Sequence, residues 1–408
     1  MQPPESAPPR TATGTAGLGP VAFAIVTAIL PVFLLGALSI EIRGDLGYRE
    51  TTAGLVLASF FAASAVVSSR IGRLIDRVGP RRGFSVALAG TAVLQLLIAA
   101  MALHAAILAA LAALAGICNA TAQLSANVFI ARDLPLHRQG VGFAVKQSAM
   151  PGAALVAGLM LPAVALTVGW RWVFVLGAAT TVGALLLVRA RLPVDVERSR
   201  ADATTAANEA PPPAGALGAL AVAAAFSTAA AITLGGFFVE SAIDAGVAVG
   251  AAGVAFAMGS LISIGARLGV GVLADRRQGN LLGVVAIMIA LGALTSVWFT
   301  WREPAAQLIG VPLAFGAGWA WPGLFNLSVV RATPGFPGMA TGITQTGTYV
   351  GAAVGPVLFG AVAETVSFAG AWWLAAALGL GAAAAVLVGR AILTGRHPVR
   401  GSAAVREP

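Results

Sequence analysis

Apolar runs of about 20 residues recur along the whole chain, and they restrict its fold more than any other feature. They lie at about 18–40, 51–71, 83–103, 105–131, 139–167, 170–190, 215–239, 248–273, 280–300, 304–330, 338–364 and 369–391. A helix needs roughly 20 apolar residues to cross a bilayer core of about 30 Å. The sequence therefore predicts an all-α polytopic membrane protein with twelve transmembrane helices.

Composition supports a lipid environment. Apolar residues make up 58% of the chain and charged residues only 10%, whereas soluble domains carry roughly 25% charged residues. The net charge of +9 does not indicate a nucleic-acid partner, because the basic residues lie in short segments between the apolar runs. With Cys118 as the single cysteine and three widely separated histidines, we expect no intramolecular disulfide, no metal site and no cofactor.

The basic residues also predict an orientation. Two of the 25 basic residues lie within spans, and four lie in the loops of one side: Lys146 and Arg267, then Arg43, Arg49, Arg171 and Arg302. The remaining 19 lie on the other side, together with both termini. Because positively charged loops face the cytoplasm, we expect a multi-pass protein of the cell membrane with both termini in the cytoplasm.

The segment 191–214 divides the chain into two parts. It is first charged, then rich in alanine and threonine, then rich in proline, which is typical of a flexible linker. We therefore predict six-helix bundles over 18–190 and 215–391, a cytoplasmic linker over 191–214, and cytoplasmic tails over 1–17 and 392–408. The first apolar run is too long and begins too late for a cleaved signal peptide.

The two parts align with each other when the chain is shifted by 199 residues. The matches fall on uncommon residue types: Glu41 with Glu240, Asp45 with Asp244, Gly72 with Gly271, Asp76 with Asp275, Arg77 with Arg276, Asn127 with Asn326 and Arg132 with Arg331. At a shift of 198, Gly140 meets Gly338 and Gln147 meets Gln345. Such a repeat predicts two pseudo-symmetric halves, with a binding site between them near the midplane.

Two copies of one loop motif carry a family resemblance. The first reads GRLIDRVGPRR over 72–82, and the weaker second copy reads GVLADRR over 271–277. The chain resembles the major facilitator superfamily in this motif. It is also similar to the cyanate and nitroimidazole permease branch in NVFIAR (127–132), KQS (146–148), PG (151–152), GWRW (169–172) and ATGITQTG (340–347).

The resemblance implies a transporter that works by alternating access, with a latch that joins the two halves when the outside is open. Its expected residues are Gly72, Asp76, Arg77, Arg81, Gly271, Asp275 and Arg276. The Asp76 carboxylate is expected to accept hydrogen bonds from the first amides of the following helix and to pair with Arg73, Arg77 or Arg81. The alternative is that these are solvated loop charges.

Polar residues inside three spans predict a binding cavity. Asn119, Gln123 and Asn127 share one face of the fourth span, and Thr341, Gln345 and Tyr349 share one face of the eleventh, which we expect opposite the fifth. In the tenth span, Trp319, Trp321 and Asn326 surround Pro322, which is expected to kink the helix. The alternatives are interhelical hydrogen bonds for the polar groups, and packing or an interfacial belt for the tryptophans.

Lys146 and Arg267 are predicted at mid-depth, eight residues from the nearest loop charges Arg138 and Asp275. Intramembrane charges need partners, yet every carboxylate is predicted near a helix end. An anionic ligand held by Lys146, Arg267 and Gln147 is therefore one reading. The other is that both long side chains extend to the interface.

We therefore predict a secondary transporter, a monomer, for a small anionic substrate such as cyanate or a carboxylate. The alternative is an efflux antiporter for neutral or amphipathic compounds, although the glycine and proline pattern of antiporters is weak in the fifth span. An enzyme or receptor is disfavoured because the chain has no phosphate loop, serine-nucleophile motif or paired mid-depth carboxylates. Glu41 and Glu240 are candidates for proton coupling, and the direction of transport stays open.

Overall fold

The computed structural model describes residues 17–194, 211–277 and 281–395, which are almost entirely helical. The helices are α1 (Leu18–Ala37), α2 (Ser39–Leu46), α3 (Glu50–Val78), α4 (Pro80–Met101), α5 (Ala105–Asp133), α6 (Gln139–Met160), α7 (Trp170–Arg191), α8 (Ala214–Asp244), α9 (Val249–Arg276), α10 (Leu282–Trp298), α11 (Pro304–Leu313), α12 (Pro322–Ala332), α13 (Pro337–Thr365) and α14 (Phe368–Thr394). Most of the predicted linker and both predicted tails lie outside the described residues.

Eleven helical segments in the described ranges are long and apolar enough to cross a membrane. The one remaining predicted span, 280–300, corresponds to α10, which is apolar but has only 17 residues. Two of the eleven are composite: 136–168 contains α6 and a π-helical continuation, and 304–332 contains α11 and α12. The prediction of a polytopic helical protein is confirmed, and exactly twelve membrane crossings remain a prediction.

The helices α1–α7 are called the first bundle here, and the helices α8–α14 the second bundle. Within the first, α3 packs on α5, α4 packs on α7, and α1 packs on α6; within the second, α8 packs on α13 and α14, and α10 packs on α14. The bundles meet where α3 contacts α13 and where α6 contacts α9 and α12. We call the end of the molecule that holds Asp76, Asp275 and Arg191 the inner end, and the opposite end the outer end.

The buried cores differ between the two ends. At the inner end a single apolar cluster contains residues of both bundles, such as Phe84 and Phe129 from the first and Leu220 and Leu324 from the second. Toward the outer end each bundle has a separate cluster, formed around Phe174 in the first and Phe238 in the second. The bundles are therefore joined at the inner end.

The repeat is visible in the turns. Gly47 and Gly246 differ by 199 residues, and both adopt positive φ angles, of 66° and 92°, after the outer ends of α2 and α8. Glycine is suited to this conformation because it has no Cβ to clash with the backbone. Near the predicted kink at Pro322, a π-helical segment (Ala314–Gly318) and a turn over 319–321 interrupt the helical span between α11 and α12.

Candidate functional site

The Asp76 carboxylate binds the first turn of a helix in the other bundle. Its Oδ1 accepts from the Gly338 amide at 3.0 Å, and its Oδ2 accepts from the Met339 amide at 2.7 Å. Arg132 on α5 donates to Oδ1 at 2.6 Å. The amides at a helix start carry partial positive charge, so a carboxylate there is favourable. Asp76 therefore links α3 and α5 of the first bundle to α13 of the second.

Asp275 makes the reciprocal contact from the second bundle. Its Oδ1 and Oδ2 accept from the amides of Gly140 and Val141, at 2.6 and 2.9 Å, at the start of α6. Arg331 on α12 lies 3.6 Å from Oδ1. The repeat matches Asp76 with Asp275, Arg132 with Arg331 and, at a shift of 198, Gly338 with Gly140. The repeat thus forms the same contact twice, once in each direction.

These contacts correct the predicted geometry of the motif. The sequence predicts that Asp76 lies against the start of the following helix and beside Arg73, Arg77 or Arg81. In the structure the amides that it binds belong to α13, and Arg132 pairs with it. The amides of α13 come within reach because glycines let the bundles approach closely. The side chains of Arg73, Arg77 and Arg276 are exposed, and Arg81 donates to the Arg189 carbonyl at 2.6 Å. The repeat matches Arg132 with Arg331 as it matches Asp76 with Asp275, and this parallel is the sequence feature that points to the two arginines as partners of the aspartates.

Glycines form the seam between the bundles. A Cβ placed on Gly72 would lie 2.1 Å from the carbonyl oxygen of Gly338, and one on Gly271 would lie 2.7 Å from that of Gly140. Backbone therefore meets backbone at both contacts, and no side chain fits between them. This close approach brings the amides of α6 and α13 within reach of the two aspartates.

Lys146 lies fully inside the protein, on α6. Its side chain is 1% exposed, and its Nζ donates to Oδ1 of Asn127 on α5 at 2.8 Å. Among the described residues it forms no ion pair, since the described acidic residues lie near helix ends. The Lys146 ammonium binds Asn127 rather than extending to the interface, which excludes the interface reading for this residue.

Arg267, on α9, is held by two backbone carbonyls. Its Nη1 donates to Gln147 on α6 at 2.9 Å, and its Nη2 donates to Trp319 at 2.8 Å. The guanidinium also lies 5.6 Å from the Trp319 ring centroid. Arg267 is 7% exposed, so it too does not extend to the interface. Gln147 thus contacts Arg267 through its backbone carbonyl.

Asn119 and Tyr349 connect the bundles at mid-depth. The Asn119 amide donates to the Tyr349 hydroxyl at 3.1 Å, which joins α5 to α13. This corrects the expectation that Thr341, Gln345 and Tyr349 face the fifth span, since α13 packs on α3 and α5 instead. Gln123 and Gln345 are also buried, at 5% and 8% exposure.

The predicted residues of the tenth span have separate surroundings. Trp319 packs edge-on against Phe315 and under Arg267, whereas Trp321 is 2% exposed within the shared inner core and packs edge-on against Phe325. Asn326 is buried on α12. The structure thus brings Trp319 to Arg267 and gives Trp321 a packing role, in line with the second reading of the tryptophans.

Acidic residues mark the outer end. Glu41, on the short helix α2, is half-buried and Glu240, on α8, is exposed. Arg171 hydrogen bonds to Asp45, and together with the Trp170 indole at 3.2 Å it holds the pKa of the Asp45 carboxyl below its usual range. In the described part of the chain, no three His, Cys, Asp or Glu residues cluster in a way that could hold a metal ion.

Family comparison agrees with this architecture. A family model described as Major Facilitator Superfamily matches residues 21–345. The chain belongs to the major facilitator superfamily. This membership and the fold indicate a membrane transporter and not an enzyme. No curated protein sequence matches the chain, and no finding assigns it to the cyanate and nitroimidazole permease branch of the superfamily.

Solved structures share the superfamily fold at low identity. The human organic anion transporter MFSD10 (TETRAN) superposes with a TM-score of 0.69 and 19% identity, over 94% of this chain and 100% of that one. FucP, in its outward conformation, gives 0.66 and 14% over 92% and 98%. The proton:xylose symporter XylE, bound to 6-bromo-6-deoxy-D-glucose, gives 0.69 and 14% over 91% and 93%. At these identities the likeness concerns the fold alone.

Proposed function

We propose that this protein is a secondary active transporter for a small anion, bound between the two bundles beside Lys146. The observation that carries the proposal is the environment of Lys146, which is 1% exposed and has the neutral Asn127 amide as its hydrogen-bond partner. A buried ammonium without a carboxylate is unfavourable. An anionic substrate supplies the counter-charge that the described residues do not.

Neighbouring polar groups favour an anion over a neutral solute. Among the described residues, Asn127 Nδ2 and Arg267 Nε are buried donors without a protein acceptor. The Lys146 ammonium has three N–H groups and donates one of them to Asn127. A ligand with several acceptor oxygens, such as a carboxylate, satisfies such a set of donors. Gln123, Gln345 and Tyr349 are proposed as further polar contacts, with Trp319 as a ring against which the substrate packs.

Alternating access is proposed from the two-bundle architecture. The structure is closed at the inner end, where the Asp76 and Asp275 contacts and the shared core join the bundles, and the outer cores are separate. We propose that α1–α7 and α8–α14 are the two six-helix halves of a twelve-span monomer in the cell membrane. The inner end is assigned to the cytoplasm from the distribution of basic residues. Glu41 and Glu240 lie at the outer end of the molecule and not beside Lys146, so the proposal does not depend on proton coupling through either residue.

The test is substitution of Lys146. We expect Lys146→Gln to abolish stabilisation by cyanate, acetate or benzoate in a thermal-shift measurement, because the anion loses about 1.5–3 kcal/mol of charged hydrogen bonding, or roughly ten- to hundredfold in affinity. Stability without ligand is expected to hold or rise, since a buried unpaired charge has been removed. Lys146→Arg is expected to retain part of the binding.

The control is Arg191→Gln, which removes a positive charge at an exposed inner-end position. It is expected to leave both thermal shift and uptake into proteoliposomes unchanged. If Lys146→Gln binds these anions as tightly as wild type, the proposed site is refuted. If none of the anions stabilises the wild type while a neutral amphipathic compound is exported by both proteins, the efflux antiporter is the better description.

A further inference from the structure

Arg267 bridges the two bundles through main-chain atoms. Its Nη1 binds the Gln147 carbonyl on α6 of the first bundle at 2.9 Å, and its Nη2 binds the Trp319 carbonyl of the second at 2.8 Å. One planar guanidinium is thus shared between helix α6 of the first bundle and the turn before α12 of the second. Its forked geometry is suited to two acceptors at once.

Both carbonyls lie where regular helical bonding is interrupted. The Gln147 carbonyl would normally accept from the amide of residue 151, but this residue is Pro151, which has no N–H. Trp319 follows the π-helical segment Ala314–Gly318 and lies in the turn before Pro322. A buried carbonyl without a donor is unfavourable, and Arg267 supplies a donor to each of these two.

The charge of Arg267 has no acidic partner at this depth. The charged residues of the segments that pack against α9 are Lys146 on α6, Arg331 on α12, Arg138 just before α6, and Glu240 and Asp244 at the outer end of α8. On α9 itself they are Asp275 and Arg276, at the inner end. Asp275 lies eight residues, or about 12 Å, from Arg267 along the helix. The two carbonyls, helped by the Trp319 ring, are therefore the groups that compensate the guanidinium.

We propose that Arg267 is a mid-depth lock between the halves, a positioning residue that stabilises the state closed at the inner end. When the inner end opens, α6 and α9 separate and the Gln147 carbonyl loses its donor, so each transport cycle must break this bond. The role of the lock rests on the proposed alternating access. It is separate from the ligand contact proposed for Nε, because the lock uses the two terminal nitrogens of Arg267, which are bound to the protein.

Pro151 makes the lock testable in a double-variant cycle. Pro151→Ala restores an amide at residue 151, so the Gln147 carbonyl gains a donor within its own helix and depends less on Arg267. The measurement is the distance between spin labels at the exposed inner-end positions Arg73 and Arg390, in the full-length Cys118→Ser protein without substrate. This readout reports closure and needs no knowledge of the transported compound.

We expect Arg267→Gln to raise the ratio of open to closed inner ends by about tenfold or more, because the charge-assisted hydrogen bond to the Gln147 carbonyl, the one that joins the two bundles, is lost. In the Pro151→Ala background the same substitution should change the ratio by less than half as much on a logarithmic scale, because the two residues act through one carbonyl. Arg267→Lys, which keeps the charge but not the fork, is a second variant should Arg267→Gln fold poorly, and we expect it to open the inner end as well.

Two outcomes would overturn the lock. One is an unchanged distance distribution in both Arg267→Gln and Arg267→Lys. The other is that the effects of Arg267→Gln and Pro151→Ala on the logarithm of the open-to-closed ratio simply add. Additive effects would mean that the two residues act independently and not through the Gln147 carbonyl. If instead closure responds as expected while no anion binds near Lys146, the proposed substrate class fails and the lock stands, so the two ideas are separable.

Discussion

Asp76 and Asp275 occupy matched positions, but their ion pairs differ in length. The Asp76 carboxylate pairs with Arg132 at 2.6 Å, while Asp275 lies 3.6 Å from Arg331, so the first contact has the shorter ion pair. We expect Asp76→Asn to open the inner end and reduce uptake more than Asp275→Asn. Loss of charge-assisted bonds worth about 1.5–3 kcal/mol each should raise the open-to-closed ratio at least about tenfold for Asp76→Asn.

Inner-end distances and initial uptake rates, measured on both variants, check this ranking. Glu364→Gln is a suitable control because it removes an exposed carboxylate from the far end of α13. Equal effects of Asp76→Asn and Asp275→Asn would mean that the basic partner contributes little and that the amide contacts dominate.

The sequence predicts that Lys146 and Arg267 lie inside the membrane-spanning region, but it does not predict which groups they bind. The place of Lys146 within an apolar run predicts that it is buried, because the surrounding helix must lie in lipid or protein. Its partner Asn127 lies on another helix, and their contact depends on how the two helices are rotated, which periodicity does not determine. For Arg267 the acceptors are main-chain atoms, and side-chain patterns do not reveal them. Pro151, four residues after Gln147, was the one available signal.

At the scale of elements, the glycine seam is the most restrictive contact. A Cβ on Gly72 would lie 2.1 Å from a backbone oxygen of α13, which has no flexible side chain to move aside. We expect Gly72→Ala to push α3 away from α13 and favour the open inner end by about 1–3 kcal/mol. Spin-label distances and uptake measure the effect.

Gly54 in the same helix α3 is the matched control, because a Cβ there meets nothing within 4 Å. Gly54→Ala should leave transport unchanged or raise stability slightly, since alanine favours helix more than glycine by about 1 kcal/mol. A similar loss in both variants would show that helix flexibility, and not the seam, is responsible.

Helix positions follow from hydropathy better than helix irregularities do. Each predicted span corresponds to a helical segment, with differences at the ends such as α1, which stops at Ala37, and the separate helix α2. The sequence does not predict that α10 is as short as 17 residues or that a π-helical segment precedes Trp319. Gly292 of α10 meets Gly318, at the end of the π-helical segment, backbone to backbone, and hydropathy does not encode such a contact.

At the scale of the whole molecule, the proposed orientation is testable by labelling. Arg191 lies at the inner end and Arg302 at the outer end, both exposed. In a Cys118→Ser background, which removes the single native cysteine, we expect Arg302→Cys to react with an impermeant maleimide in intact cells. Arg191→Cys should react only after the membrane is opened. The reverse pattern would invert the topology and place the proposed linker outside.

The reciprocal capping at the seam constrains the aspartates and glycines of both bundles, but it does not constrain Lys146 and Arg267. Each bundle completes the helix start of the other, so a half exchanged for that of another transporter must bring both an aspartate and a glycine to the junction. Lys146 and Arg267 have no charged counterpart in the repeat: Lys146 aligns with Thr344 at the shift of 198 that relates α6 to α13, and Arg267 aligns with Ser68 at a shift of 199. The duplicated chain is thus symmetric at the seam between the bundles and asymmetric at the proposed binding site.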